Sequence, residues 1–228
     1  MQMAWAVAAG VAGGYLAGSI PFGLLIAKAR GVDLRHEGSC NIGATNVFRC
    51  VGKGWGILAL LLDALKGFIP AWLFPALIQA GRCEFCEPVP GWAGLAFGLA
   101  AVAGHNWPVW LGFKGGKGVA TSVGVLLGVA PAEMGIGLAV FAVVLAATRR
   151  VSVGSIAAAL AVVASAWGFF ACGRMGLLLA LVLTVLGAVV VVRHRANIAR
   201  LARGEEPPLW GPGTPQKAKR AERGGKGS

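Results

Sequence analysis

The 228-residue chain is 57% hydrophobic and only 13% charged, whereas a soluble globular domain carries about 25% charged residues. The apolar residues come in blocks about as long as a membrane-spanning helix, roughly 17–25 residues, which excludes an ordinary soluble protein. In a soluble chain the net charge of +12 would indicate nucleic acid as a partner. Here the basic residues fall between apolar blocks, so they favour anionic lipid headgroups and phosphorylated substrates over nucleic acid.

The apolar blocks predict an all-α integral membrane protein with seven transmembrane helices. The predicted spans are 4–27, 55–80, 91–112, 118–130, 132–147, 153–171 and 175–192. The first block has no basic residue before Lys28 and no clear cleavage site, so we expect a retained helix rather than a signal peptide. Residues 1–206 are predicted to form one catalytic domain, and residues 207–228 a basic, disordered cytoplasmic tail.

The distribution of Lys and Arg predicts the orientation of these spans. Nearly all basic residues follow the first, third, fifth and seventh predicted spans, whereas the alternate connections contain only Arg82 and Arg174. Positively charged loops stay in the cytoplasm. We therefore expect the N-terminus outside, the C-terminus in the cytoplasm, and the basic connections on the cytoplasmic face of the membrane.

The cysteines differ by predicted side of the membrane. Cys83 and Cys86 lie on an outer connection, where a local disulfide or two free thiols are favoured over a metal site, because no second pair or histidine cluster is near in sequence. Cys40 and Cys50 face the reducing side, and no neighbouring base supports either as a nucleophile. The sequence predicts neither a metal site nor a cofactor, so activity is expected to survive a chelator.

The first inward connection, residues 31–49, interleaves short polar side chains with glycine. Such a stretch can present backbone N–H groups to an anion and then begin a helix, which is typical of phosphate sites. Arg49 could close on phosphate oxygens as a bidentate donor. The other candidate binding residues of this connection are Gly38, Ser39, Asn41, Gly43 and Thr45.

The second inward connection, within residues 104–121, contains the sequence FKGGKGVAT. Its glycines leave the backbone free to wrap an anion, and Lys117 supplies a point charge. The pattern is not a Walker P-loop, since Leu111 and Gly118 occupy the positions that require Gly and Ser or Thr. The candidates here are Gly115, Gly116, Lys117, Gly118 and Thr121.

The third polar region has two parts, residues 149–155 and 193–206. Ser155 belongs to the first part. In the second, His194 and Asn197 are three residues apart and share a helix face that could point at the other two connections. Basic residues at helix ends often serve only as topology signals, but that does not explain Ser, Asn, Gly, Lys and Arg concentrated together in three inward segments.

Asp63 and Lys66 form a charged pair inside the second predicted span, at i and i+3. An unpaired charge there is costly, so the two residues are either functional, with Lys66 binding substrate, or a structural ion pair. His36 and His105 are expected to be structural.

Long stretches of the chain resemble the bacterial acyl-phosphate:glycerol-3-phosphate acyltransferases. They are the residues 18–23, 38–47, 104–105, 113–121 and 193–206, with Lys28, Gly31, Asp33 and Arg35 between the first two. The family usually has glycine where this chain has Cys40. The resemblance implies seven spans in the bacterial inner membrane and an active site that faces the cytoplasm. It also implies transfer of a fatty acyl group from acyl phosphate to the 1-hydroxyl of glycerol 3-phosphate, giving lysophosphatidic acid and inorganic phosphate in phospholipid synthesis. The positions that match the family's catalytic residues are Ser39, Arg49, Lys117, Ser155, His194 and Asn197.

Two phosphorylated substrates would explain the basic loops. We assign residues 115–118 to the acyl-phosphate headgroup, with Lys117 between the two phosphates, while Arg49, Ser39 and Asn41 hold glycerol 3-phosphate. Positioning is the favoured role of His194, because the substrate phosphate could accept the hydroxyl proton. No covalent acyl-enzyme and no obligatory protein partner are predicted; membrane lipids are the expected surroundings.

The main alternative is a small membrane transporter for a phosphorylated solute. A transporter would carry polar residues at mid-bilayer depth in several spans, whereas most polar residues here cluster at one interface. A non-catalytic scaffold would not need three candidate anion loops. The residues alone therefore favour an enzyme.

Overall fold

The computed structural model describes residues 2–81 and 88–211, and this part of the chain is helical without any strand. Cys83, Cys86 and the tail beyond residue 211, for which a disulfide and disorder were predicted, lie outside the described residues. The α-helices in chain order are α1 Gln2–Ser19, α2 Phe22–Ala29, α3 Ala44–Cys50, α4 Lys53–Phe68, α5 Phe74–Ala80, α6 Ala93–Asn106, α7 Val119–Val129, α8 Pro131–Thr148, α9 Val151–Ala171, α10 Leu177–Arg193 and α11 Arg195–Ala202. A π-helical turn joins α4 to α5, and a short 3₁₀ turn follows α6.

Four helical stretches of the described chain are long and apolar enough to cross a bilayer: 2–29, 53–80, 131–148 and 151–171. A fifth consists of α10 and α11, which are bent by 54° at their junction. The fold is therefore all-helical with apolar spans, as predicted. Helices also occupy the third and fourth predicted spans, but α6 has 14 residues and α7 only 11, whereas a bilayer core needs about 20.

The third predicted span, 91–112, was wrong at its inner end, because α6 stops at Asn106. Pro108 explains the stop, since proline disfavours helical geometry at the residue before it and has no N–H of its own. Residues 107–118 instead form the irregular connection that carries the second glycine-rich motif. The early stop matters because it brings that motif back over the end of α6.

Close helix contacts in the first half of the chain depend on glycine. Gly14 and Gly18 of α1 lie so near α6 that a Cβ atom on either would overlap the backbone carbonyls of Phe97 and Ala101. Small residues four apart are a common way to bring membrane helices into backbone contact. Such glycines hold α1 through α7 together as one group of helices.

We predict that Gly18→Ala destabilises the protein by about 1–3 kcal/mol, because the added methyl must push α1 away from α6. The matched control is Gly168→Ala in α9, where nothing lies within 4 Å of the added atom, and this change should be neutral or slightly stabilising. Thermal unfolding of the purified variants in detergent compares the two. Equal unfolding midpoints in the two variants would contradict the close packing of α1 on α6 as the cause of the effect.

A second group of helices consists of α8, α9 and α10, with α9 in the middle, and it meets the first group chiefly through α7. The main apolar core lies between the groups and includes Val125, Leu126, Met134, Val162 and Leu183. Two cavities adjoin α10 along this boundary. The larger, of about 290 Å³, lies between α6 and α10; the smaller, of about 50 Å³, lies among α7, α8, α9 and α10. We call the boundary between the two groups the seam.

Candidate active site

The first candidate loop, residues 38–43, is organised by a buried side chain that was not among the predicted site residues. The amide of Asn46 donates from Nδ2 to the carbonyls of Glu37 and Asn41 at 3.0 and 2.9 Å, and its Oδ1 accepts from the N–H of Ser39 at 3.0 Å. Asparagine is a poor helix former because it bonds to nearby backbone groups. Its place in the first turn of α3 was the sequence signal for this role.

The prediction that this loop offers its backbone N–H groups to an anion is wrong for three residues. The N–H of Ser39 donates to Asn46, that of Gly43 to Oδ1 of Asn41 at 2.9 Å, and that of Cys40 to the Glu37 carbonyl at 3.0 Å. Internal bonds therefore consume these donors. What the loop exposes is the Ser39 side chain itself, while Thr45 is half-buried on the first turn of α3.

Cys40 lies in the left-handed region with a φ of 55°, close behind Gly38 with a φ of 61°. Side chains disfavour this conformation and glycine does not, which explains why the resembling family usually has glycine at the cysteine position. The Cys40 side chain is exposed rather than directed into the fold.

The second candidate loop folds back onto the end of α6. The N–H groups of Gly115 and Gly116 donate to the carbonyls of Asn106 and His105 at 3.2 and 3.1 Å, so neither is free for an anion. A Cβ at Gly115 would overlap the His105 carbonyl, and one at Gly116 would overlap the His105 ring. Glycine is therefore required at both positions for packing, a different reason from the anion wrapping that we predicted.

After the glycine pair, Lys117 begins a run of free backbone donors. In the described chain, the N–H groups of Lys117, Gly118 and the first turn of α7 have no hydrogen-bond partner. Gly118 has a φ of 77°, and a Cβ there would lie 2.7 Å from Oδ1 of Asn106. Thr121 is fully buried in the same turn, and its hydroxyl also lacks a partner among the described residues.

The Lys117 ammonium connects the second loop to α11. It donates from Nζ to Oδ1 of Asn197 at 2.5 Å, and Nδ2 of Asn197 donates to Oε1 of Glu206 at 2.7 Å. Burial is the main cause that lowers the pKa of Lys117 to about 8, and the nearby Arg200 charge acts in the same direction. The structure thus brings together two predicted catalytic residues from different helix groups.

Glu206 is the carboxylate at the centre of this cluster, and the predicted site did not include it. It also accepts from the Ser152 hydroxyl at 2.7 Å and from Nε of Arg200 at 2.8 Å. Burial alone would raise the pKa of Glu206, but the bonds from Ser152, Asn197 and Arg200 outweigh burial and lower it. The signal that could have identified it was a pair of adjacent carboxylates, Glu205 and Glu206, in an otherwise basic segment.

The closing segment, residues 204–211, lies across the same cluster. Nη2 of Arg49 donates to the Pro207 carbonyl at 3.0 Å, Nε of Arg150 donates to the Glu206 carbonyl at 3.0 Å, and the N–H of Leu209 donates to the Arg149 carbonyl at 2.7 Å. Arg49 is largely buried, and burial lowers its pKa. Its Nε has no partner in the described chain, so the guanidinium has an unused donor.

His194 and Ser155 border the cluster. His194 is buried at the bend between α10 and α11, and its Nδ1 lies 2.8 Å from the Val190 carbonyl. Burial, together with the charge of Lys117, lowers the pKa of His194 to about 4. Ser155 is buried one turn after Ser152 on α9 and lines the smaller cavity.

Lys66 has its own partners inside the helices. Its ammonium is 2.6 Å from Oδ1 of Asp63 and donates to the Ile20 carbonyl at 2.7 Å, at the break between α1 and α2. His105 approaches the same carboxylate at 3.7 Å. These contacts fit the structural ion pair, one of the two interpretations that the sequence left open. In residues 2–81 and 88–211, no three His, Cys, Asp or Glu residues come together as a metal site would require.

Comparison with known proteins places the whole helical region in one family. The glycerol-3-phosphate acyltransferase family model matches residues 8–204. A glycerol-3-phosphate acyltransferase of Trichlorobacter lovleyi is 47% identical over 196 residues, covering 86% of this chain and 94% of the relative. One from Geobacter sulfurreducens is 47% identical over 192 residues, covering 84% of this chain and 92% of the relative.

Two solved structures are similar in fold. Both are crystal structures of PlsY (YgiH), an integral membrane glycerol 3-phosphate acyltransferase. Its glycerol 3-phosphate form has a TM-score of 0.77 at 40% identity and covers 90% of this chain and 96% of that chain. Its lysophosphatidic acid form has a TM-score of 0.74 at 40% identity, with coverage of 89% and 94%.

Proposed function

The chain belongs to the glycerol-3-phosphate acyltransferase family, and from that premise we propose that it moves a fatty acyl group from acyl phosphate to the 1-hydroxyl of glycerol 3-phosphate. The products are lysophosphatidic acid and inorganic phosphate. The protein is an integral membrane acyltransferase of phospholipid synthesis; the acyl-phosphate donor, the hydroxyl that is acylated and the residue roles are the proposal.

The observation that carries this proposal is the excess of positive charge around one carboxylate. Arg200 donates to the Glu206 carboxylate, Arg150 to the Glu206 backbone carbonyl, and Lys117 to Asn197, a direct partner of that carboxylate. Arg49 donates to the carbonyl of the next residue, Pro207. One carboxylate cannot neutralise four cations, and phosphate dianions are the ligands that such a cluster attracts. A transporter of phosphorylated solutes would need similar charge deep in the helices, where the described pair of Asp63 and Lys66 neutralises itself.

We assign glycerol 3-phosphate to Arg49, Ser39 and Asn41, and the acyl-phosphate headgroup to Lys117, Gly118 and the first turn of α7. The unpartnered N–H groups at the start of that helix suit a phosphate, which the occupied N–H groups of Gly115 and Gly116 do not. The acyl chain would lie in the apolar seam beside α10, where Val119 at the start of α7 lines the smaller cavity. Ser155 lies where the smaller cavity meets the charged cluster.

The reaction joins the glycerol hydroxyl oxygen to the acyl carbonyl carbon and breaks the bond from that carbon to the phosphate oxygen. The hydroxyl proton passes to a phosphate oxygen. Because the Val190 carbonyl can only accept, the proton of neutral His194 sits on Nδ1 and leaves Nε2 free to accept the substrate hydroxyl. A pKa of about 4 makes His194 a weak base, which supports a positioning role. Lys117 and the N–H groups beside it would stabilise the developing oxyanion and the departing phosphate.

We further propose seven spans, an outside N-terminus and a cytoplasmic active site. Each of the four inward segments supplies a residue to the cluster around Glu206. These residues are Arg49, Lys117, Arg150 and Asn197. They must therefore lie at the same end of the bundle, as the distribution of basic residues requires. The short helix α7 would cross the bilayer together with the connections at its ends, whose backbone is shielded from lipid by the neighbouring helices.

The direct test incubates the protein in lipid with palmitoyl phosphate and glycerol 3-phosphate and follows inorganic phosphate and lysophosphatidic acid. We expect equal amounts of both products, only when both substrates are present, with the acyl group on the 1-hydroxyl. Palmitoyl-CoA in place of palmitoyl phosphate should give no product. No acyl transfer from well-folded protein, with glycerol 3-phosphate accumulating inside proteoliposomes, would support the transporter instead.

Binding of palmitoyl phosphate, whose headgroup we assign to Lys117, should weaken above pH 8. Because the pKa of Lys117 in the folded protein is lowered to about 8, the ammonium is charged at pH 7 and mostly neutral at pH 9. Loss of that charge removes its attraction for phosphate, so the association constant should fall about tenfold between these pH values. Calorimetric titration at pH 7, 8 and 9 measures it. The Lys117→Arg variant stays charged throughout this pH range. An equal decline of its association constant would show that another group causes the pH dependence.

A further inference from the structure

Arg193 ends α10 and reaches across the seam to the second loop. Its Nε donates to the Gly116 carbonyl at 3.1 Å, and its Nη2 donates to the carbonyls of Gly115 at 3.1 Å and Asn106 at 3.3 Å as well as to that of Gly116. The guanidinium also lies 5.7 Å from the centre of the Trp107 ring. One side chain of the second helix group thus binds both the end of α6 and the glycine pair that folds back onto it.

These bonds decide which way the next peptide faces. In a trans peptide the C=O and N–H point in opposite directions. Since the Gly116 carbonyl points at Arg193, the N–H of Lys117 must point away from it. This N–H has no partner in the described chain, whereas those of Gly115 and Gly116 just before it are bonded to the end of α6.

Without the guanidinium, little would fix this peptide. Gly115 and Gly116 stand directly before the peptide bond to Lys117, and a glycine backbone turns over readily. A lysine at position 193 would keep the charge, but a compact ammonium cannot match the planar fork that spans several carbonyls.

We propose that Arg193 is a positioning residue, which turns the Gly116–Lys117 peptide so that the N–H of Lys117 faces the phosphate of the acyl donor. The inference rests on the proposed assignment of that phosphate to Lys117 and α7. It gives Arg193 a task in acyl-donor binding that it performs without touching the substrate.

The test compares Arg193→Lys and Arg193→Ala with Arg195→Ala, an exposed arginine two residues away. We expect KM for palmitoyl phosphate to rise at least about tenfold in both Arg193 variants, with the thermal midpoint of Arg193→Lys close to that of the parent. The Arg195 variant should stay within about twofold of the parent. Adding methylguanidinium should restore much of the KM in Arg193→Ala, which a purely structural role would not allow.

A parent-like KM for palmitoyl phosphate in Arg193→Lys would overturn the inference, as would equal losses in the Arg195 variant or failure of methylguanidinium to rescue Arg193→Ala. The Lys117→Ala variant distinguishes a failure of this inference from a failure of the phosphate assignment on which it rests. If Lys117→Ala is inactive while Arg193→Ala binds palmitoyl phosphate normally, only the role of Arg193 is wrong. If Lys117→Ala is fully active, the assignment of the phosphate itself is wrong.

Discussion

Replacing Lys117 by alanine is expected to lower kcat/KM by about 10²–10³-fold, the largest loss of activity that we predict. The ammonium is the charged group of the second loop that reaches α11, through its 2.5 Å bond to Asn197. In the proposed site it stands just before α7, where negative charge would develop as phosphate departs. Alanine would remove that charge and leave the Asn197 amide oxygen without its donor.

The matched control for this change is Lys114→Ala, which removes an exposed lysine from the same connection. It should retain activity within about twofold, because an exposed charge is screened by water and salt. Phosphate release under saturating glycerol 3-phosphate measures both variants. Similar losses of activity in the Lys117 and Lys114 variants would mean that this connection contributes only general positive charge and no specific contact.

Replacing Asp63 by asparagine is expected to destabilise the protein by about 3–5 kcal/mol, the largest stability effect that we predict. Lys66 would then be a buried ammonium without a counter-charge, and its remaining contact would be the Ile20 carbonyl at 2.7 Å. The side chains of Asp63 and Lys66 are each only 3% exposed, so water cannot replace the lost carboxylate. The midpoint of unfolding by SDS in mixed micelles would report the change.

The double variant Asp63→Asn/Lys66→Gln provides the control, because it removes both charges together. We expect it to recover more than half of the stability lost in Asp63→Asn. Additive losses in the double variant would show that the two residues do not form an energetically coupled pair. Activity of the double variant would also test Lys66: turnover near the parent value would rule out an essential role in substrate binding.

Features that depend on local sequence were predictable. Apolar blocks gave helices at all the predicted positions, and the resemblance identified Lys117 and Asn197, which the structure joins directly. Glycine at 115 and 116 was recognised, but its purpose was not. The sequence shows where a bare backbone is present, whereas only the fold shows that these N–H groups face the end of α6.

Features that depend on distant contacts were not predictable. Arg193 follows a long apolar helix, where an arginine is a sufficient topology signal, and nothing nearby in sequence indicates three carbonyl partners in another loop. Asn46 similarly satisfies donors and acceptors of residues up to 12 positions earlier. Side chains that bind backbone across such distances leave no periodic pattern.

The contacts of the charged cluster join residues far apart in the chain. Lys117 and Asn197 are separated by 80 residues, and Arg49 and Pro207 by 158. During synthesis the early helices enter the membrane long before the ribosome has made α10, α11 and the closing segment. A chain inserted only through α7 therefore has Arg49 and Lys117 but lacks Arg150, Arg200 and Glu206. On the proposed function, catalytic competence arrives late, with the last stretch of polypeptide, so that unfinished chains in the membrane would not consume acyl phosphate.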